Sequence, residues 1–523
     1  MAHVQLHGEA ADALDARAPS VPAETVRAWL AGAPLSREAH LISGLVMPAI
    51  VLAMDMWRVR AFTIDDAYIS FRYARNLAHG LGLVYNPGER VEGYTNFLWT
   101  LLLAGGIRLG CDPELLSKIL GSTFALASLG ATYLLARRLR PFDNVPCVAT
   151  WLLASTIVFS GHSMFGLETA LFVFLVLAGL ELLFREERSS GRGFPFSGLV
   201  FGLAGLTRPE APMFLAIAML CLGRRFFGGK NLVRGALFTL VLGSHVLWRH
   251  AYYGRWLPNT FSAKTGNFSG QVESGWGYVQ NYFVHAGPLI WLSVLGLVWA
   301  VEARRRDVAP IALIAAAMLA YVVAVGGDWM PYFRFLAPFE PLCFLLVDLG
   351  ARSVLDQRMP AARLAVVAFG FAMFTGRFDV MRGSQRWILR HEDRFWHMAA
   401  GGTAKWLNEH EPGEIAIGDI GYVGYATDYP LFDLLGLVDP VIGQLPGGYT
   451  RKIGRGFTER FFEKEPFYFL LISQDSSCRK PSVPISRVIF ADPRFDPLYE
   501  VAGQVALDND AAWCIYRKRP PGE

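Results

Sequence analysis

Apolar and polar positions along this chain fall into two regimes. From about residue 41 to residue 377, apolar runs near the lower limit for crossing a bilayer recur with short polar gaps; beyond 377 the runs shorten and mix with charge. Candidate spans are 41–57, 114–136, 145–160, 166–184, 196–207, 210–222, 232–252, 285–301, 308–325, 333–350 and 361–377, eleven in all. The run 97–109 is too short to span and opens on Asn96, so it reads as an interfacial or re-entrant helix. The pair 196–207 and 210–222 is divided only by Arg208-Pro209, a break expected to border a cavity.

The pattern predicts three parts: an N-terminal arm over 1–40 with a short helix around 23–30, a helical membrane body over 41–380 whose first outer loop is 58–113, and a globular domain over 381–523. In the last part, a linker loop over 382–394 leads to a helix over 399–409. Strands follow at 415–418, 431–435, 467–472 and 512–516, with a Gly- and Tyr-rich turn at 421–425. That mixture predicts an α/β domain.

Composition agrees with a membrane body: 53% of residues are hydrophobic and 18% charged, against about 25% charged in soluble proteins. A formal charge of +4 is small for this length and argues against a nucleic-acid partner, for which a clustered basic face is expected. The start of the chain lacks the basic end and early apolar core of a cleaved signal peptide. Lys and Arg alternate along the loops. Arg137, Arg138 and Arg140, then Arg185, Arg188 and Arg192, then Arg304, Arg305 and Arg306 crowd one side, while the opposite loops hold Arg208, Arg255, Lys264 and Arg334. Basic loops stay cytoplasmic, so the N-terminus is expected inside, and an odd number of spans puts the C-terminal domain outside with the first loop. Cys478 and Cys514 share that domain and pair if it faces an oxidising compartment. No internal repeat is visible, which argues against a transporter built of repeated halves.

The outer side gathers the candidate chemistry. Asp65 and Asp66 are adjacent acids at the start of a predicted helix, where Thr63 and Asp66 approximate a capping box. The same placement suits a general base beside bound phosphate, and at most one of the two acids can face a reacting atom while the other caps or orients. Lys264 and Arg334 are candidate phosphate ligands, with Arg72 a third. Glu92, Glu168, Arg208, Glu210 and Asp328 complete the set as substrate contacts or supports, although each also reads as an ion-pair or helix-end residue. The acids show no recognisable metal-ligand spacing, so a divalent cation is left open.

These residues carry a resemblance. Asp65-Asp66 followed by Arg72, Arg75-Asn76-Leu77, Gly80, Gly82, Asn86, Gly88-Glu89-Arg90-Val91-Glu92 and Thr95 resembles the first outer loop of the actinobacterial terminal arabinofuranosyltransferases. Pro258-Asn259-Thr260-Phe261, Gly326-Gly327-Asp328-Trp329 and Asp433-Leu434-Leu435-Gly436-Leu437 resemble motifs of the wider bacterial set. More distantly, the layout is similar to the protein O-mannosyltransferases and the aminoarabinose transferases of lipid A, all of the GT-C fold. Ala67-Tyr68 and Gly93-Tyr94-Thr95-Asn96 depart from the actinobacterial form and leave sugar and acceptor open.

The resemblance implies an inverting glycosyltransferase of a bacterial inner membrane. It would move a sugar, arabinofuranose by this likeness, from a polyprenyl-phosphate donor to a glycan or protein acceptor, with Asp65 or Asp66 as base. The rival from another class is a lipid-linked-sugar flippase, which needs the phosphate ligands but no base.

Overall fold

A computed structural model of the chain describes residues 35–140, 145–189, 193–287, 289–355, 380, 382–448, 451–454, 456–507 and 510–520. The expected arm up to residue 34 and the expected span 361–377 lie outside the described residues. Among those described, four helices are long and apolar enough to cross a bilayer: Arg37–Arg58, Pro113–Leu139, Gly229–Tyr253 and Arg306–Val325. Ser197–Gly205, Ala211–Leu220, Leu289–Glu302 and Phe339–Leu355 stand at other expected spans but are shorter, and Thr169–Arg188 is long enough but carries more charge. The count of eleven is therefore not reproduced among the described residues.

Three expectations change. The span at 145–160 is two short helices, Val148–Ala154 and Ile157–His162. Thr156 causes the break: its Oγ1 accepts the Val158 N–H at 3.2 Å and donates to Glu340 Oε1 at 3.0 Å, which starts a new helix. Residues 253–284, between the expected spans 232–252 and 285–301 and so expected to be a loop, hold the helices Asn259–Lys264 and Phe268–Ala286. The second of these packs on Ala309–Val325 at Gly275, where a Cβ would come within 2.4 Å of the Val323 carbonyl oxygen. The linker at 382–394 is helical and runs on without interruption to Asn408. As expected, the chain does break at Arg208-Pro209, between Ser197–Gly205 and Ala211–Leu220.

Small residues let the helices approach closely. A Cβ on Gly296 would meet the Leu346 carbonyl oxygen at 1.9 Å, and one on Gly350 would meet that of Leu292 at 2.6 Å, so Leu289–Glu302 and Phe339–Leu355 cross backbone to backbone.

The C-terminal part carries a five-stranded mixed sheet in the order β2-β1-β3-β5-β4, with helices interleaved. Its strands are β1 (Ile415–Ile417), β2 (Leu431–Asp433), β3 (Tyr468–Ser473), β4 (Tyr499–Ala506) and β5 (Ala512–Lys518). β1 runs parallel to β2 and β3; β5 is antiparallel to β3 and β4. The unanticipated β4 is an edge strand with an irregular register between Val501 and Gly503 and small residues at Ala502 and Gly503, which blur the alternation a strand normally shows. Cys478 and Cys514 form a disulfide across this domain.

The domain sits on the first loop, so the two lie on the same side of the helical body. Asn86 pairs with edge strand β2 as a neighbouring strand would: its Nδ2 donates to the Leu431 carbonyl at 2.8 Å and its Oδ1 accepts the Leu431 N–H at 3.1 Å. Tyr85 donates its hydroxyl to the Ile420 carbonyl, and Arg75 reaches the Tyr425 carbonyl and the Asp428 carboxylate.

Candidate active site

The helix Asp65–Ala78 opens at Ile64, and no side chain caps it. The expected capping box does not form, because Thr63 donates its hydroxyl to Glu114 Oε1 at 2.7 Å instead. The two acids part from their first atoms. Asp65 is 4% exposed and accepts the N–H of Gly421 at 3.0 Å and of Tyr422 at 2.7 Å. Those amides open the helix Tyr422–Thr427, where the sequence suggested only a turn. A carboxylate from another part of the chain satisfies the free N–H groups that a short Gly- and Tyr-rich segment cannot cap for itself.

Asp66 turns the other way and is half-buried. Burial pushes its carboxyl above the usual range, while Lys264 and then Arg334 pull it back; Asp328 and Glu168 act against them. The relation is mutual. Burial pushes the Lys264 ammonium down, and Asp66 is the strongest influence holding it up. Asp66, Lys264, Arg334, Asp328 and Glu168, drawn from four separate parts of the chain, thus share one electrostatic environment.

Each is positioned by its own local device. Lys264 ends the six-residue helix Asn259–Lys264. Asn259, 1% exposed, starts it and donates from Nδ2 to the carbonyls of Gly436 and Leu437, both at 2.9 Å. Gly436 holds φ +75° in a turn that Asp433 organises by accepting the N–H groups of Leu435 at 2.8 Å and Val438 at 2.9 Å. Two motifs that are separate in sequence are therefore one joint. Lys452 fastens the far end of the helix, donating to the carbonyls of Ser262 and Thr265 at 3.0 Å each.

Arg334 follows a strained turn. Gly326 and Gly327 sit at φ +93° and +74°, and Tyr332 and Phe333, which have side chains, at +61° and +54°. His162 Nε2 donates to the Pro331 carbonyl at 3.0 Å and helps hold that backbone. Arg334 Nε lies 2.7 Å from Asp328 Oδ2 as an ion pair, without hydrogen-bond alignment, so the donor keeps capacity for another acceptor. Beside it, Arg208 bridges Glu168 at 3.0 Å and Glu210 at 2.8 Å, and Asn96 donates to Glu168 at 2.9 Å.

Two candidates stand elsewhere. Arg72, 2% exposed, spends its guanidinium on the carbonyls of Tyr85, Gly424 and Tyr429 and on Asn86, so it fastens the C-terminal domain and does not face the cluster. Glu92 pairs with Arg249 at 2.6 Å. One acid was missed as a site residue: Asp419, two residues beyond β1, which burial and the Asp66 charge push up to about 6. β1 lies between β2 and β3, so the chain leaves its end toward one neighbour and returns on the other side. Carboxyl ends of strands at such switch points are where ligands bind in α/β sheets, and that was the available signal. Among the described residues no three His, Cys, Asp or Glu side chains converge as a metal site.

Helical body, first-loop helix and capping α/β domain together form a fold shared with solved structures of two other proteins. The chain superposes on ArnT from Cupriavidus metallidurans, in a crystal structure bound to undecaprenyl phosphate, with a TM-score of 0.55 at 12% identity over 90% of this chain and 97% of that one. It superposes on the oligosaccharyltransferase AglB from Archaeoglobus fulgidus, in complex with an inhibitory peptide and a dolichol-phosphate, with a TM-score of 0.54 at 14% identity over 81% and 69%.

By sequence, its curated relatives are terminal β-(1→2)-arabinofuranosyltransferases. That of Mycobacterium tuberculosis is 28% identical over 57% of this chain and 55% of its own length; that of Corynebacterium glutamicum is 27% identical over 56% and 49%. The chain spans about half the length of these relatives. Residues 389–516 match a domain of unknown function, DUF8728.

Proposed function

We propose that this chain is an inverting glycosyltransferase that moves a sugar, arabinofuranose by its relatives, from a polyprenyl-phosphate donor to a cell-envelope glycan or protein. The observation that carries the reading is the grouping of Asp66 with Lys264, Arg334 and Asp328 in one half-buried environment. Lys264 and Arg334 hold the donor phosphate. Asp66 takes the proton from an acceptor hydroxyl as its oxygen attacks the anomeric carbon, the bond from that carbon to the phosphate oxygen breaks, and polyprenyl phosphate leaves. The cations matter most as charge grows on the departing oxygen. Asp65 holds the C-terminal domain over the site, and Glu168, Arg208 and Glu210 support Arg334 from behind. ArnT's bound undecaprenyl phosphate and AglB's bound dolichol-phosphate support a lipid-phosphate donor here.

The reading places the chain in a bacterial inner membrane as a multi-pass protein of about eleven spans, its N-terminal arm cytoplasmic and its α/β domain periplasmic. The Cys478–Cys514 disulfide supports an oxidising compartment for that domain.

The test is a reconstituted assay with a labelled polyprenyl-phosphate arabinofuranose and an arabinofuranosyl oligosaccharide. A new glycosidic product is expected. Movement of labelled lipid across the bilayer with no product would make the protein a flippase.

A further inference from the structure

A second cleft opens on the same side of the molecule, between the end of helix Gly229–Tyr253, the first loop and the C-terminal domain. It is open to solvent on one side, has a cavity volume of about 90 Å³, and is lined by Arg90, Glu92, Tyr253, Arg255, Asn259 and Pro440 among others.

Its chemistry is specific. Glu92 is 3% exposed and Asn259 1%. Glu92 Oε2 accepts from Arg249 Nε at 2.6 Å, but its Oε1 has no hydrogen-bond partner. Asn259 spends its Nδ2 on the joint with Gly436 and Leu437, and its Oδ1 likewise has none. The two residues are tied together, since the Asn259 N–H donates to the Glu92 carbonyl at 3.0 Å. Two residues of the cleft lining thus each carry a buried acceptor without a donor, a costly state unless something supplies one. The same cleft is lined by donors: Arg255, and Arg90, whose guanidinium lies 4.8 Å from the centre of the Tyr252 ring.

A phosphate brings acceptors only and leaves both orphan oxygens unmatched. A sugar hydroxyl donates and accepts at once, so it satisfies carboxylate and amide oxygens while receiving bonds from the arginines. Position adds to this. Asn259 and Lys264 are the two ends of one helix, about 7.5 Å apart along its axis at 1.5 Å per residue. A ligand in the cleft is therefore roughly one to two sugar residues from the donor phosphate.

We infer that this cleft binds carbohydrate, as the subsite for acceptor glycan residues remote from the attacking hydroxyl. The inference rests on the glycosyltransferase reading. Without the subsite, acceptors of any length would be equivalent.

The experiment uses the full chain in lipid nanodiscs with arabinofuranosyl oligosaccharides of one, three and six residues. Binding is measured by calorimetry without donor, and transfer kinetics with it. Arg90→Ala/Arg255→Ala should raise the Kd and acceptor KM of the longer oligosaccharides by about tenfold or more, since charged hydrogen bonds are lost. The single-residue acceptor, donor KM and kcat should not change, and Arg255→Lys on the wild-type background should fall between. Transfer by the wild type with no length-dependent change in the double variant overturns the subsite alone, as does an equal loss for every length or a change confined to the donor. Arginine-dependent oligosaccharide binding without any transfer supports the subsite and overturns the enzymatic reading. Absence of both overturns both.

Discussion

The Asp65 carboxylate accepts the backbone N–H of Tyr422 at 2.7 Å, and that bond ties the helix Asp65–Ala78 to a helix more than 350 residues further along the chain. Its neighbour Asp66 has no such commitment to the seam and lies instead within the influence of Lys264 and Arg334. Adjacent residues of a helix point about 100° apart. One pair of acids thereby serves two tasks, and the variants of each should differ in kind.

Asp66→Asn should lower kcat by about 10²–10⁴. Purified enzyme assayed at saturating donor and acceptor checks this. Retention of full turnover would remove Asp66 from the chemistry.

Asp65→Ala should act on structure. It leaves the Gly421 and Tyr422 amides without their acceptor, at a cost of about 1–3 kcal/mol. Hydrogen exchange should quicken over 421–427 and not over the distal strands β4 and β5. Unchanged protection there would mean that the seam does not depend on this carboxylate.

The pH dependence follows from the charges around Asp66. The base works deprotonated, and burial raises its pKa, so activity should fall on the acid side at a pH above the ordinary carboxylate range. Lys264 opposes that shift. Lys264→Ala should therefore move the acid limb to higher pH, in addition to weakening donor use. A pH–rate profile of kcat/KM reads the direction.

Reduction of the Cys478–Cys514 bond, or Cys478→Ser, should destabilise the C-terminal domain by about 2–4 kcal/mol, the usual worth of a bridge closing a loop of this size. Thermal unfolding with and without reductant measures it. No difference would mean that the bridge is not formed in the mature protein.

What the sequence made legible depended on range. Apolar runs, the break at Arg208-Pro209 and four of the five strands are local patterns, and they could be read directly. The burial of Arg72 could not, because its partners Gly424 and Tyr429 lie some 350 residues away and are backbone carbonyls, which leave no mark in side-chain identity. The helix Tyr422–Thr427 was hidden for the same reason, since its cap is Asp65. The split at 145–160 turned on one threonine hydroxyl that meets Glu340. Lys264, Arg334 and the acid pair stood out as charges between the runs of an apolar chain, where an ionisable group needs a partner. Asp419 carried that signal too, at the end of a strand, and only the sheet order gave it meaning.

The most direct test of the account is a density map of the protein bound to a non-hydrolysable polyprenyl-phosphate sugar analogue. The phosphate should lie within hydrogen-bonding distance of Lys264 Nζ and the Arg334 guanidinium, with the Asp66 carboxylate on the side of the anomeric carbon from which an acceptor must approach. A phosphate seated away from both cations, or an anomeric carbon that faces Asp65 or no carboxylate at all, would contradict it.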